Sequence, residues 1–496
     1  MALLTPLEGS AGAVKSLCII YVIRTLSLLL LACSTTFLFP SFSPLGYDTS
    51  STHITGTDNL IGEDGYTTGF VERLVTALTR WDAIYFASIV QNGHRWEQEW
   101  AFGIGQSYLV NGFQWILALF GDYEMSPSSQ ILFLSICSCG SHLVSAVVLY
   151  HLTTILFQAA RPKETSALGS SGETPKIVAF VAATLHILSP AGIFLIAPYN
   201  EPVFSLLSFL GYWLYSYAIK NTAFDGQHAF INEVFLLLSG LLFGVSGLFR
   251  SNGIINGVLF VFEVSQSFWR LTSGTNPAAN IRLFLISGVS GALVGLPMVW
   301  RQYQGWLEYC TTEPSVQRVW CSKTLPSIYS FVQSHYWGVG LLKYWTPGNI
   351  PLFLLAVPTL YVLFKTSLKI ISIQSPDPTS TRLYSLDLKH TNKDLLFRLT
   401  LPQLLLAVLA ITNYHVQIIA RLSSGLPMWY IVTAAAFAQT STTGTKAIES
   451  KDTPKSGKPA DEVVSAEGSW ARPAVRFFLG YQVVQAVLYG GFLPPA

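Results

Sequence analysis

Long apolar runs decide what this chain can become. Residues 16–39 (SLCIIYVIRTLSLLLLACSTTFLF) form the first. Others lie near 129–157, 177–197, 203–219, 233–249, 253–269, 282–300, 351–371, 395–412, 424–440 and 475–491. Each is about 17–25 residues long, enough for a helix to cross about 30 Å of hydrocarbon. In hydrocarbon each backbone N–H and C=O needs an internal partner, which a helix supplies within itself. The expectation is an all-α polytopic membrane protein with about 11 transmembrane helices, give or take two. Prolines 190, 198 and 202 make the third and fourth runs the least regular. Only 11% of the 496 residues are charged, against about 25% in soluble domains.

The first run is too long for the apolar part of a signal peptide, and no small-residue cleavage site follows cleanly. It is expected to stay as a span, with Arg24 snorkelling to the near headgroups. The net charge of +2 makes no electrostatic case for nucleic acid. The placement of basic residues is more informative. Lys15, Arg161, Lys163, Lys176, Lys220, Arg270, Arg282, the cluster from Lys365 to Arg398, and the lysines after Thr445 fall on one side of an 11-span path. That side is expected to be cytosolic. The other side holds the two longest loops, 40–127 and 301–350.

In the first loop, Ser41–Gly69 is rich in Ser, Thr, Gly and Asp and reads as a flexible insertion. Leu74, Leu78, Trp81, Tyr85 and Ile89 then recur at helical spacing, which predicts one amphipathic interfacial helix over Val71–Gln91. Residues 107–120 suggest a second. Residues 161–175, 373–394 and 441–472 are polar cytosolic loops, and the last reads as disordered. No internal repeat or second soluble domain is visible, so 1–496 reads as a single integral-membrane domain. Cys18, Cys33, Cys137 and Cys139 fall in apolar runs as packing residues. Cys310 and Cys321 share a non-cytosolic loop, either as a disulfide or as two free thiols.

Ionisable residues near a membrane are functional suspects, and here they favour one side. Asp82, Glu97, Glu99, Asn200, Glu201, Arg250, His415 and Arg421 all fall at non-cytosolic span ends or in the non-cytosolic loops. Asp82, beside Trp81, Tyr85 and Phe86, suits a general base. The plainer reading is a surface pair with Arg80, although residues two apart on a helix do not face each other. Glu97 and Glu99 either bind a sugar hydroxyl or are solvated. Asn200 and Glu201, before Pro202, either cap a helix or line the mouth of a groove. Arg250, before Ser-Asn252-Gly253, either completes a helix end or holds a lipid phosphate. His415 and Arg421 could share a phosphate. His142, His151 and His186 read as packing residues. The chain has no D-x-D, no P-loop, no G-x-G-x-x-G and no G-x-S-x-G, which argues against a nucleotide substrate.

Five blocks, in order, carry a resemblance. They are R-W-D-A-I-Y-F with W-E-Q-E-W-A-F; S-P-A-G-I-F-L-I-A-P-Y-N-E-P; F-R-S-N-G; the Y-C…W-C…Y-S-F-V-Q-S-H-Y-W-G-V-G stretch with I-P-L-F-L-L-A-V-P; and N-Y-H-V-Q-I-I-A-R-L-S-S-G-L-P. Together they resemble the GPI mannosyltransferase 2, or PIG-V, family in its fungal form. The likeness spans the chain apart from residues 41–69, 373–394 and 441–472. It implies a multi-span GT-C enzyme of the endoplasmic reticulum with a lumenal active site. Such an enzyme adds the second mannose of the GPI-anchor precursor, in α-1,6 linkage, from dolichyl-phosphate mannose. It further implies a small accessory membrane subunit and no metal or other cofactor. Where this chain has G-I-G-Q-S the family pattern often has a Pro-rich run, so the local loop path departs from it. The family comes from the resemblance; the roles are read from residue type and side, and on that reading Asp82 would be catalytic. Arg80, Trp81, Tyr85, Glu97, Glu99, Asn200, Glu201, Arg250, Asn252, His415 and Arg421 would contact substrate. The residue pattern itself also admits another dolichyl-phosphate-sugar transferase, a lipid transporter or a non-catalytic assembly subunit.

Overall fold

The computed structural model describes residues 10–38, 49–56, 70–157, 173–220, 229–311, 318–375, 382–384, 386–388, 391–449 and 468–493. Helices make up nearly all of it. In chain order the first six are α1 (Ser10–Leu38), α2 (Thr49–Thr55), α3 (Phe70–Leu78), α4 (Asp82–Asn92), α5 (Gly105–Ala118) and α6 (Pro127–Phe157). The next five are α7 (Glu173–Ile187), α8 (Glu201–Lys220), α9 (Ala229–Phe249), α10 (Val258–Thr272) and α11 (Pro277–Cys310). The last six are α12 (Ile328–His335), α13 (Ile350–Ser372), α14 (Lys393–Thr412), α15 (Ile419–Leu422), α16 (Met428–Glu449) and α17 (Ala471–Gly490). A two-residue antiparallel ladder pairs Arg382–Leu383 with Leu386–Asp387.

Every expected apolar run carries a helix, but the count of about 11 spans is not confirmed. Seven helices are long and apolar enough to cross a bilayer: α1, α6, α8, α9, α11, α13 and α14. An eighth candidate is α16 together with the segment before it, bent by 87°. The other three runs fall short for separate reasons. The expected run 177–197 gives up its helix at Ile187 and continues through a 3-10 turn at Gly192–Leu195. The helix α10 has 15 residues and carries Glu263 and Arg270. The helix α17 is long enough, but Arg472, Arg476, Gln482 and Gln485 lower its hydropathy.

Small residues let the central spans approach closely. A Cβ on Gly244 would sit 2.3 Å from the Leu293 carbonyl oxygen, and one on Gly240 2.6 Å from that of Ser290. The pair α9–α11 therefore packs through a Gly-x-x-x-Gly face, as membrane helices without a hydrophobic drive between them often do. Near the far end of α8, Glu263 accepts from Arg398 at 2.6 Å and from the Tyr215 hydroxyl at 2.5 Å. Tyr215 lies fourteen residues beyond Glu201, about 21 Å along the helix at about 1.5 Å per residue. The Glu263–Arg398 pair therefore lies toward the end of the bundle opposite Glu201.

Several local expectations change. The helix drawn over Val71–Gln91 is broken at Thr79–Trp81, where Trp81 adopts φ +57°. Buried hydroxyls hold the break open: Tyr489 donates to Leu78 O at 2.6 Å, and Tyr199 donates to Arg80 O at 3.0 Å. Arg24 does not snorkel. It is buried and donates to Gly192 O at 2.8 Å and to Gln482 Oε1 at 3.2 Å. His142 and His186 are buried, whereas His151 faces outward. The 301–350 loop begins later than expected, because α11 continues to Cys310. Helix α2 occupies part of the 41–69 insertion, and most of that stretch lies outside the described residues. Of the stretch 441–472, residues 441–449 continue α16, and 450–467 lie outside the described residues.

Candidate functional site

A cavity of about 430 Å³ gathers several of the polar residues singled out in the sequence. Its lining includes Trp81, Asp82, Tyr85, Arg250, Asn252, His415 and Arg421. That volume lies within the roughly 300–1,000 Å³ of small-molecule sites.

Asp82 is the first residue of α4, where the positive end of the helix dipole favours an anion. Its Oδ2 accepts from Arg421 Nη2 at 2.7 Å. Its side chain stays about one-third exposed to the cavity. Immediately before it, Trp81 sits in the left-handed region that bulky residues avoid. Strain of this kind is costly and persists where the surroundings fix it. Here the two tyrosine hydroxyls fix it, and the break it makes turns Asp82 into the cavity.

Arg421 is the hub of the charge arrangement. Besides Asp82 it donates through Nε to Glu201 Oε1 at 2.6 Å. Phe194 lies 4.4 Å from its guanidinium carbon and Tyr199 lies 5.0 Å from it. Arg250 Nη1 donates to the same Glu201 oxygen at 2.9 Å. Two guanidiniums and two carboxylates therefore form one chain, Asp82–Arg421–Glu201–Arg250, with no net charge. Asn252 Nδ2 donates to Leu422 O at 3.1 Å, which ties the end of α9 to α15.

An aromatic wall faces this charge. Tyr85 stacks on Phe102 with centroids 4.9 Å apart, Phe102 meets Trp337 at 5.4 Å, and Trp337 meets His415 at 6.2 Å. Burial pushes the His415 imidazole below its ordinary range, and the charge of Asp82 only partly offsets this. His415 is therefore neutral at pH 7 and offers a ring N–H rather than the expected cation.

The structure does not bring every suspect to the cavity. Glu201 and Asn200 are fully buried beneath it, so Glu201 orients the arginines rather than meeting a ligand. Arg80 points away and donates to Ser51 Oγ at 3.3 Å. Glu99 is a local cap, accepting from the backbone N–H of Arg95 at 2.7 Å and of Trp96 at 3.1 Å, and from Ser88 Oγ at 3.1 Å. Glu97 is a clamp, accepting from Trp320 Nε1 at 3.1 Å and Tyr336 OH at 3.0 Å, with Arg318 at 3.3 Å. Next to Trp320, Cys321 is bonded to Cys310, with Cα atoms 5.4 Å apart. The clamp and the disulfide hold the segment leading to α12. From α12 itself Tyr329 and Gln333 reach the cavity, and from just past its end so does Trp337. Sequence reasoning did not single these out. Their spacing of four and eight residues, one helical face, was the available signal.

The loop path through G-I-G also has a physical cause. A Cβ on Gly103 would lie 2.3 Å from the carbonyl oxygens of both Leu248 and Phe249. Gly103 lines the cavity, so this contact seats its wall on the end of α9. Gly103→Ala is expected to cost about 1–3 kcal/mol by overpacking and, by shifting the cavity wall, to lower activity by about tenfold or more. Gly112→Ala, on an open face of α5, is the silent control. Both are read by activity and by thermal unfolding in detergent.

The sequence model of one family, described as Mannosyltransferase (PIG-V), matches residues 16–496. The chain is 35% identical over 423 residues to the GPI mannosyltransferase 2 of Gibberella zeae, covering 85% of this chain and 86% of that protein. It is 35% identical over 504 aligned residues to the GPI mannosyltransferase 2 of Aspergillus fumigatus, covering 100% of this chain and 99% of that protein. Among solved structures, an oligosaccharyltransferase of Archaeoglobus fulgidus aligns with a TM-score of 0.43 at 11% identity, covering 93% of this chain and 55% of that one.

Proposed function

This chain belongs to the PIG-V mannosyltransferase family, and from that premise we propose that it adds the second mannose to the GPI-anchor precursor. In this reading the donor is dolichyl-phosphate mannose and the new linkage is α-1,6. The enzyme is of the GT-C type and works at the lumenal face of the endoplasmic reticulum membrane, beside a small accessory membrane subunit. The observation that carries the reading is the cavity lined by a single carboxylate, Asp82, paired with Arg421, which buried Glu201 links in turn to Arg250.

The chemistry follows from that arrangement. Asp82 takes the proton from the 6-hydroxyl of the acceptor mannose. The hydroxyl oxygen attacks the anomeric carbon of the donor, the C–O bond to phosphate breaks, and a β-linked sugar becomes α-linked. Asp82 gains a proton and loses its charge as the leaving dolichyl phosphate gains one. The chain of charges around Glu201 then carries one excess positive charge, on Arg421 and Arg250, at the moment the phosphate needs it. Stabilisation that appears only as charge develops lowers the barrier rather than merely tightening binding. Guanidiniums do this work, so the reading calls for no metal ion. His415 supplies a neutral N–H, and the wall of Tyr85, Phe102 and Trp337 offers ring faces to sugar.

The test is complementation. Cells depleted of their own second-step enzyme receive the full chain, and their lipid extracts are weighed by mass spectrometry. Restoration of the two-mannose precursor supports the reading. Persistent one-mannose precursor, with the chain inserted and the accessory subunit present, defeats it.

A further inference from the structure

One arginine near the site is not used by this mechanism. Arg301 lies near the end of α11 among aromatic side chains, with Trp300, Tyr303 and Trp306 in successive ring contacts of 5.9 and 6.1 Å. Trp300 and Tyr303 are about half exposed. Exposed Trp and Tyr at the end of a span mark the headgroup level. The Arg301 guanidinium lies 4.4 Å from the Trp100 ring centroid. Its Nη1 donates to Gln304 Oε1 at 2.8 Å, and its Nη2 lies 3.1–3.2 Å from the two ring nitrogens of His94.

The charge of Arg301 is uncompensated. Arg250, Arg398 and Arg421 each meet a carboxylate, whereas no carboxylate among the described residues lies in ion-pair range of Arg301. His94 adds no charge. Burial, reinforced by Arg301 itself, pushes its imidazole down to about 3, against a weaker upward pull from the Phe102 backbone. The cluster is thus a single positive charge on an aromatic shelf. The shelf also backs the site: Trp100 precedes Ala101–Gly103, the segment that walls the cavity.

We propose that Arg301, seated on Trp100 and His94, binds the phosphodiester of the glycolipid acceptor and so holds its sugar head toward the Asp82 cavity. The inference rests on the reading above, in which the acceptor is a phosphatidylinositol glycolipid. A guanidinium matches a phosphodiester with two parallel donors, and the partly dry interface strengthens the pair. Donor and acceptor phosphates would then have separate cations, Arg250 with Arg421 for one and Arg301 for the other.

The experiment compares the full chain as wild type, Arg301→Ala and Arg301→Lys in microsomes lacking the endogenous enzyme. Two acceptors are used: a one-mannose GPI precursor, and an analogue whose phosphodiester is replaced by a neutral ether to the same alkyl chains. Arg301→Ala is expected to raise KM for the phosphodiester acceptor by about ten- to a hundredfold. It should leave kcat, the KM of the neutral analogue and the KM of the donor unchanged, and Arg301→Lys should recover part of the loss. An unchanged KM for both acceptors overturns the proposal. An equal rise for both overturns it in favour of a structural shelf, and a rise in donor KM assigns the arginine to the donor phosphate instead. Dependence of the wild-type KM on bulk anionic lipid, lost in Arg301→Ala, assigns it to a bulk phospholipid. If the wild type mannosylates neither acceptor, the proposed reaction itself falls, whatever Arg301 does.

Discussion

Asp82→Asn is expected to reduce mannose transfer by about 10²–10⁴-fold, the usual contribution of a positioned general base, while protein level and insertion stay normal. The separation of effects comes from the geometry. Asn keeps the size of Asp and an amide oxygen that still accepts from Arg421 Nη2. The side chain is one-third exposed, so loss of its charge does not leave a buried cation stranded. Glu201 continues to hold Arg421 from the other side at 2.6 Å. What Asn lacks is the ability to take a proton. The same substitution would also remove the proposed charge exchange, in which Asp82 becomes neutral as the phosphate gains charge. Lipid extracts should therefore accumulate the one-mannose precursor despite abundant enzyme. Wild-type amounts of the two-mannose product from Asp82→Asn would remove Asp82 from the chemistry, and a non-catalytic assembly role would then become the better account.

The span pattern was legible because apolar length and the demand for internal hydrogen bonding leave a membrane chain little choice. Every run became a helix, including those too short or too polar to be counted as spans. The break before Asp82 was not legible. Leu74, Leu78, Trp81, Tyr85 and Ile89 keep helical spacing through it, so periodicity alone draws one helix. The hydroxyls that hold the break belong to Tyr199 and Tyr489, one of them about four hundred residues away in sequence. Long-range contacts of this kind override local preference without leaving a local mark.

The same limit separates the two glutamates of W-E-Q-E-W from Glu201. All three are acidic residues expected on one side of the span pattern, and residue type alone did not rank them. In the fold Glu99 caps its own turn and Glu97 clamps Trp320 and Tyr336, whereas Glu201 joins the two arginines under the cavity. Charge type was readable, but partner identity was not. Arg24 shows this most plainly. An arginine within a first span ordinarily snorkels, yet here the Gly192 carbonyl, in the 3-10 turn that follows α7, accepts from it and holds it inward. That turn lies beside Arg24 only because α7 stops at Ile187.

Glu201→Gln is expected to damage folding as well as transfer, unlike Asp82→Asn. Glu201 is fully buried, and its Oε1 accepts from Arg421 at 2.6 Å and from Arg250 at 2.9 Å. Removing one partner from a buried ion pair costs about 3–5 kcal/mol, because the remaining charge is left uncompensated. In Glu201→Gln two guanidiniums would share Asp82 as their only carboxylate, and that would pull the base out of position. A fall in protein level and in thermal stability should therefore accompany loss of activity. Glu201→Gln with Arg250→Gln separates the two effects. The double variant restores charge balance, with Asp82 facing Arg421 alone, so its stability should recover well beyond the sum of the single changes. Its transfer should stay low, because one of the two cations proposed to meet the leaving phosphate would be gone. Thermal unfolding in detergent beside a transfer assay reads both quantities. A double variant no more stable than Glu201→Gln would mean that Glu201 supports the fold through something other than its two arginines, and the charge-chain account of the site would fail with it.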